Sequence, residues 1–155
     1  MNDTALRAAL LGAWELVAWQ IDYSDGRDCS WPFGPAARGL LLYTPEGLMS
    51  AAISKSGRAP LASTSARHAS VAQKAAAFDS YFHYQGSFHV EAGTVVHEVR
   101  ESLNPDFPGT RQVRTIEFDG DSLVLSAQDL LPGSSVQRFH RLQWRRPVRS
   151  GDASV

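Results

Sequence analysis

The amino-acid sequence predicts a mainly β protein, an eight-stranded antiparallel barrel with a short N-terminal helix and a second helix between the third and fourth strands. Apolar residues alternate with polar ones in short runs, separated by turns rich in glycine, proline and aspartate. Gly12-Ala13-Trp14 opens the first strong run and Trp144-Arg145-Arg146 closes the last, and the two segments bracket a series of short strands that suggests a closed barrel. Eight such runs can be counted, the smallest common strand number for a ligand-holding barrel.

The N-terminal segment predicts a helix that ends at Gly12. Asp3 or Thr4 can cap its first turn, and glycine is suited to terminate its last. The helical spacing puts three leucines on one side, Leu6, Leu10 and Leu11. We expect this helix to close one end of the barrel.

The first three strands are predicted at residues 13–23, 38–44 and 47–54. The first is apolar on both faces, and the other two form a hairpin around Thr44-Pro45-Glu46-Gly47. A loop rich in proline and aromatic residues, 31–35, separates the first strand from the hairpin.

The period then changes from two to that of a helix. Ser70 and Gln73 have the spacing of a capping box, and apolar residues continue the helical pattern, which predicts a helix over about 70–80. Strand alternation resumes, and turns at Glu91-Ala92-Gly93, 104–109, Asp119-Gly120-Asp121 and 132–135 separate the five remaining strands.

Composition predicts one globular domain over residues 1–146, followed by a flexible tail at 147–155. The 155 residues are 43% hydrophobic, enough for one core. A net charge of −1, with 15 basic and 16 acidic residues, argues against nucleic acid or a membrane surface as a partner. We predict a cytoplasmic protein, because the chain has a single Cys29, no signal pattern and no long apolar stretch. We expect a monomer or a homodimer.

Several segments carry a resemblance to a known family. They are Leu11-Gly12-Ala13-Trp14-Glu15-Leu16, Arg38-Gly39-Leu40-Leu41-Leu42-Tyr43-Thr44, Gly47-Leu48-Met49-Ser50-Ala51, Lys74-Ala75-Ala76-Ala77-Phe78-Asp79, Thr94-Val95-Val96-His97-Glu98-Val99, Gly109-Thr110-Arg111-Gln112-Val113-Arg114 and Trp144-Arg145-Arg146. In order and spacing the chain resembles the small stand-alone lipocalin-like domain family of bacteria and fungi. The resemblance implies a lipocalin-like, calycin-type barrel from about Leu11 to Arg146. It also implies that Arg145 or Arg146, at the end of the last strand, stacks over the indole of Trp14 at one end of the barrel.

Side-chain alternation predicts which residues face the barrel interior. On the fourth strand Tyr84 and Phe88 share the apolar face, which leaves His83 and His89 outside, and on the fifth strand His97 points inward. Applied to every strand, the rule gives a polar group of His97, Arg114 and Tyr84. It also gives further ligand-binding candidates, Tyr43, Met49, Phe88, Val99, Gln112, Ile116, Arg138 and His140.

These residue types suggest both binding and chemistry. An apolar cavity with a few polar groups is typical of a small-molecule site. His97 is the candidate acid or base, Arg114 would hold an enolate or carboxylate oxygen, and Tyr84 would donate to the same oxygen. The aromatic loops at 31–35 and 104–109, with Trp31, Phe33 and Phe107, are turns or the lips of the barrel mouth.

Two alternatives stay open. His97 can be a hydrogen-bonded core residue while Arg114 pairs with Glu101, which shares its strand face with His97. A metal site of His97, His140 and Glu101, or a haem held by one histidine, lacks the usual ligand spacing. We therefore expect no metal and no cofactor.

Two classes of function follow. The first is a carrier or sensor that binds a small hydrophobic or amphipathic molecule in the cavity. The second is an enzyme of secondary metabolism, because the resemblance implies that some such barrels isomerise, cyclise or dehydrate polyketide-like or terpenoid-like substrates. Such an enzyme needs no cofactor if His97 transfers the proton and Arg114 stabilises the oxyanion.

Overall fold

A computed structural model describes residues 1–149, and the chain forms a closed antiparallel barrel of eight strands. The helices are α1 (Asp3–Leu10) and α2 (Val71–Asp79). The strands are β1 (Gly12–Tyr23), β2 (Arg38–Tyr43), β3 (Leu48–Ser54), β4 (Tyr81–Glu91), β5 (Thr94–Ser102), β6 (Arg111–Asp119), β7 (Ser122–Leu130) and β8 (Gln137–Arg145). Each strand pairs with its neighbour in sequence, and β8 pairs with β1 to close the barrel. The predicted barrel and its two helices are confirmed.

The predicted tail at 147–155 is described only in part. Residues 147–149 have no regular secondary structure, and the rest of the predicted tail lies outside the described residues. Among residues 1–149, no helix combines the length and the apolar character needed to cross a membrane.

Helix α1 closes one end of the barrel. Its N-cap is Asn2, whose side chain accepts a hydrogen bond from the backbone N–H of Ala5 at 2.9 Å, and not Asp3 or Thr4 as predicted. Asp3 serves a different purpose, because its carboxylate accepts from two backbone N–H groups of the β4–β5 turn at 2.9 and 3.1 Å. Arg7 donates to a backbone carbonyl of the β2–β3 turn at 2.8 Å. These contacts fix α1 across the end where the short hairpin turns lie.

A β-bulge explains why β1 is apolar on both faces. Val17 is an extra residue in the pairing of β1 with β8, so the inward-facing parity changes at this point. Trp14 and Leu16 are buried before the bulge, and Trp19 packs against the core after it. Val17 itself is exposed.

The half of the barrel beneath α1 is filled by side chains. Leu10 from the helix is buried together with Trp14 near the start of β1 and with four residues toward the hairpin turns, Tyr43, Met49, Phe88 and Val95. In the barrel formed by the described residues, the free volume lies toward the other end, where the longer loops are.

Candidate functional site

An internal cavity of about 290 Å³ occupies the barrel half opposite α1. Ligand sites usually have volumes of about 300–1,000 Å³, so this cavity suits a small ligand, on the order of ten non-hydrogen atoms if about 30 Å³ is allowed per water-sized group. The wall is mostly apolar and includes side chains from β1 to β8: Trp19, Leu41, Ala51, Ile53, Phe82, Tyr84, His97, Phe107, Gln112, Arg114, Leu125, Ala127, Gln128, Asp129, His140, Leu142 and Trp144.

His97 lies between two tyrosine hydroxyls. The Tyr43 hydroxyl is 2.7 Å from Nε2, and the Tyr84 hydroxyl is 2.6 Å from Nδ1. The imidazole is 2% exposed, and both of its ring nitrogens have a hydrogen-bonding partner, as is usual for buried polar groups. His97 and Tyr84 are on the cavity wall, whereas Tyr43 approaches His97 from the filled half.

Burial keeps these three groups neutral at pH 7. It lowers the pKa of His97 from 6.5 to about 3, and the positive charge of Arg114 contributes in the same direction. Burial also raises the pKa of Tyr84 and raises that of Tyr43 still further. His97 is therefore a neutral hydrogen-bonding group at pH 7 and does not take up a second proton near that pH.

Arg114 brings a positive charge to the same wall. Its guanidinium donates to the Val113 carbonyl at 2.9 Å and to Gln112 Oε1 at 3.5 Å, which leaves three of its five N–H groups without a protein acceptor among residues 1–149. No carboxylate in the described part of the chain forms an ion pair with Arg114.

The prediction that Glu101 shares the inward face with His97 is wrong. Arg100 is an extra residue in the pairing of β5 with β4, so the parity reverses between Val99 and Glu101, and Glu101 is exposed. Gly86 permits this bulge, because a Cβ atom there would overlap the Glu98 carbonyl oxygen. The proposed partner of Arg114 thus points to solvent.

The bulge also separates the three groups considered as metal ligands. Glu101 lies outside the barrel, while His97 and His140 line the cavity. In residues 1–149, no three His, Cys, Asp or Glu side chains are arranged to hold a metal ion.

A second polar group lies on the cavity wall, centred on His140. Trp19 Nε1 donates to His140 Nδ1 at 3.3 Å, and Nε2 lies 3.1 Å from Asp129. Asp129 also accepts two hydrogen bonds from Arg138, at 2.7 and 2.6 Å, which lowers the pKa of its carboxyl group. The pKa of His140 is lowered mainly by burial. Both ring nitrogens of His140 and both carboxylate oxygens of Asp129 thus have partners within this group.

The structure brings five of the predicted site residues to the cavity wall, His97, Arg114, Tyr84, Gln112 and His140. Tyr43 contacts it only through His97. The other five lie off the wall: Met49, Phe88, Val99, Ile116 and Arg138. Met49, Phe88 and Val99 are in the packed core, Ile116 packs against that core, and Arg138 pairs with Asp129. Alternation gives the face of a residue but not its depth along the barrel axis, so it selected residues of the filled half as well.

Several wall residues were missed. Trp19 is hidden by the bulge in β1. Phe82 is four residues after Phe78 and continues the helical spacing in the sequence, but it lies on β4 and shares the strand parity of Tyr84. Phe107, from the loop predicted as a lip, does line the cavity. Of the other lip candidates, Phe33 packs edge-on against Trp19 with ring centroids 5.4 Å apart, and Trp31 is exposed.

One buried donor on this wall has no partner. The indole N–H of Trp144 is inaccessible to solvent and meets no acceptor in residues 1–149. Buried polar groups nearly always have partners, so an unpaired donor on a cavity wall is informative.

Comparison with known proteins identifies similar proteins and a family. The chain is 36% identical over 83 residues to the 4'-hydroxy-3'-methoxypropiophenone carrier protein ppsC of Aspergillus oryzae, a match of 48% of this chain and 75% of that protein. Insecticyanin from the tobacco hornworm Manduca sexta is a similar solved structure, with a TM-score of 0.48 and 11% identity over 94% of this chain, which spans 65% of the insecticyanin chain. A family model described as a lipocalin-like domain matches residues 11–147, and the chain therefore belongs to the lipocalin-like domain family.

Proposed function

We propose that the barrel is a carrier for a small, mostly apolar molecule that places one oxygen against Tyr84 and Arg114. The observation that carries this proposal is the cavity of about 290 Å³, whose largely apolar wall contains one neutral His97–Tyr84 pair and one guanidinium. Burial of the apolar part supplies affinity, and the few polar groups fix the orientation. Arg114 has no carboxylate partner among residues 1–149, so its charge is available to the oxygen of a ligand.

The name of the Aspergillus oryzae relative supports a ligand that is mostly apolar and carries an oxygen. It describes a carrier of an aryl ketone with hydroxyl and methoxy substituents. A single-ring aryl ketone has an apolar body and an acceptor oxygen, and its size suits the cavity of this chain. We therefore include such ketones in the proposed ligand class.

The proposal is tested first by native mass spectrometry of the protein purified without added ligand. A co-purified small molecule of fewer than about twenty non-hydrogen atoms is expected, given the cavity size. The same spectra report whether the protein is a monomer or a homodimer, which stays a prediction, as does its cytoplasmic location.

A titration provides the second test. Trp19 and Trp144 line the cavity, so binding of 4'-hydroxy-3'-methoxypropiophenone is expected to quench intrinsic fluorescence. Arg114→Gln is expected to weaken binding about tenfold, the effect of losing one hydrogen bond to a charged group. Arg141→Gln, at an exposed position of β8, is the matched control and should bind normally. Absence of quenching by this ketone and by apolar aromatic probes would argue against a carrier.

The catalytic alternative, an isomerase, cyclase or dehydratase of a secondary metabolite, uses the same residues. Arg114 is placed to stabilise an oxyanion in the cavity. His97 is poorly suited as its general base, because an efficient base has a pKa near the working pH and that of His97 is about 3. We therefore favour the carrier. Conversion of a co-purified ligand by the wild-type protein, abolished by His97→Ala, would favour the enzyme instead.

A further inference from the structure

We infer that Tyr43 is a positioning residue that fixes the tautomer of His97 so that the Tyr84 hydroxyl donates its hydrogen bond into the cavity. This inference rests on the proposed carrier function, and it makes the ligand a molecule with an acceptor oxygen, such as a ketone, rather than a plain hydrocarbon. It concerns the direction of the two hydrogen bonds of His97, and the direction of the bond that Tyr84 would make to a ligand.

The neutral His97 ring has one N–H hydrogen for its two hydrogen-bonding neighbours. A neutral imidazole has one N–H group, so one ring nitrogen of His97 donates and the other accepts. The hydroxyls at 2.7 Å from Nε2 and 2.6 Å from Nδ1 must therefore play opposite roles, one donating to the ring and the other accepting from it. Two arrangements satisfy this condition.

The Tyr43 and Tyr84 hydroxyls differ in what they can contact apart from His97. Tyr43 is 2% exposed and does not line the cavity, and among residues 1–149 its hydroxyl has no other hydrogen-bonding partner. If Tyr43 accepted from His97, its own hydrogen would be buried without an acceptor, an arrangement that native structures avoid. Tyr43 therefore donates to Nε2.

The direction of the Tyr43–His97 hydrogen bond fixes the direction of the His97–Tyr84 hydrogen bond. Because Nε2 accepts, the hydrogen of the neutral ring is on Nδ1, and Nδ1–H donates to the Tyr84 oxygen. The Tyr84 hydroxyl then keeps its own hydrogen for another acceptor. In the described residues that hydroxyl has no further protein partner, and Tyr84 lies on the cavity wall, so the acceptor must come from the cavity.

Arg114 favours the same kind of ligand. Its guanidinium has N–H groups without an acceptor among residues 1–149. A hydrocarbon would leave these N–H groups and the Tyr84 hydroxyl unpaired, whereas a carbonyl or anionic oxygen pairs with at least one of them. The wall therefore selects for acceptor oxygens.

Nitrogen NMR tests the tautomer directly. In a long-range ¹H–¹⁵N correlation of the ¹⁵N-labelled protein at pH 7, His97 is expected to show a protonated Nδ1 and an unprotonated Nε2. In Tyr43→Phe the bond that fixes this choice is absent, and we expect the two nitrogen shifts to move toward each other as the second tautomer is populated. A wild-type spectrum with hydrogen on Nε2 would overturn the inference, whatever the protein binds.

A pair of probes tests the consequence for binding. The probes are 2-acetylnaphthalene and 2-isopropenylnaphthalene, which have nearly the same shape but carry C=O and C=CH₂, respectively. We expect the wild type to bind the ketone about three- to tenfold more tightly, the usual range for one net hydrogen bond. The ratio should fall toward one in Tyr84→Phe and be reduced in Tyr43→Phe. The matched control is Tyr23→Phe, which removes a hydroxyl bonded to Ser30 and away from the cavity wall.

The outcomes separate this inference from the carrier proposal. If both probes bind equally in the wild type, the cavity is a carrier site but the direction of the hydrogen bonds is wrong. If neither probe binds, nor the aryl ketone of the earlier titration, the carrier proposal itself fails. A ketone preference that is unchanged in Tyr43→Phe while Tyr84→Phe removes it would assign the selectivity to Tyr84 alone and reject Tyr43 as a positioning residue.

Discussion

The guanidinium of Arg146 lies over the indole ring of Trp14, 3.6 Å from its centroid. The same arginine donates to the carbonyls of Ala13 and Ala9 at 3.1 and 2.8 Å, and the Trp14 indole N–H donates to the Leu10 carbonyl at 2.8 Å. One arginine that follows the last strand therefore joins the end of α1 to the start of β1. This confirms the stacking that the family resemblance implies, with Arg146 rather than Arg145 over the ring.

Arg146→Gln is expected to lower the free energy of unfolding by about 1–3 kcal/mol. The variant loses the stacking on Trp14 and weakens two hydrogen bonds to carbonyls at the closed end. Denaturant unfolding measures the loss. Arg145→Gln, which removes an exposed arginine 3.8 Å from Glu15, should change stability by less than about 1 kcal/mol. Equal effects of the two substitutions would show that the stacking adds nothing specific.

The fold could be predicted from the sequence because its signals are local. Alternation, turn residues and the Ser70–Gln73 capping box each depend on neighbours a few positions apart, and all are present in the structure. The interior positions of Tyr84, His97, Gln112 and Arg114 follow from the same local rule.

The site was only half predictable because its geometry depends on features without a local signal. A bulge reverses the parity of a strand, and those at Val17 and Arg100 hid Trp19 and misplaced Glu101. The level at which packing stops and the cavity begins depends on how far α1 and its neighbouring side chains fill the barrel. Tyr84 lies on the cavity side of that level and lines the cavity, whereas Phe88, on the same face of β4, lies in the packed core.

His97 is expected to make the protein less stable as the pH falls below 6.5. Its pKa is about 3 in the folded state and near 6.5 when unfolded, so between these values the unfolded chain binds a proton that the folded protein does not. Stability is therefore complete above pH 6.5 and decreases toward pH 3. Between pH 7 and pH 5 the decrease from this residue is about 2 kcal/mol.

Denaturant unfolding at pH 7 and pH 5 measures this effect, with His97→Gln as the test variant. The part of the pH dependence that is due to His97 should disappear in that variant. The control is Thr115→Ala, which changes an exposed residue of β6 and no titratable group, and which should keep the wild-type pH dependence. An unchanged pH dependence in His97→Gln would mean that His97 titrates alike in the folded and unfolded states.

Gly86→Ala is expected to destabilise the barrel by about 2–3 kcal/mol. The added Cβ would overlap the Glu98 carbonyl oxygen and lie 3.1 Å from the Arg100 backbone nitrogen, so the bulge must open to accept it. Thermal and denaturant unfolding measure the loss. Ser87→Ala, at the next position of β4, is the control and should cost less than about 1 kcal/mol. A stable Gly86→Ala protein would show that the bulge tolerates a side chain.

Phe107 is expected to slow the release of a bound ligand. Its ring meets Phe82 and Tyr84 edge-on, with centroids 6.0 and 6.3 Å away, so a loop side chain covers part of the cavity at its loop end. Phe107→Ala removes this cover, and we expect the dissociation rate of 2-acetylnaphthalene in stopped-flow measurements to rise about tenfold while the association rate changes little. Phe78→Ala, at a half-exposed phenylalanine of α2, should release the probe at the wild-type rate. If Phe107→Ala instead slows association and leaves dissociation unchanged, the ring guides entry of the ligand and does not retain it.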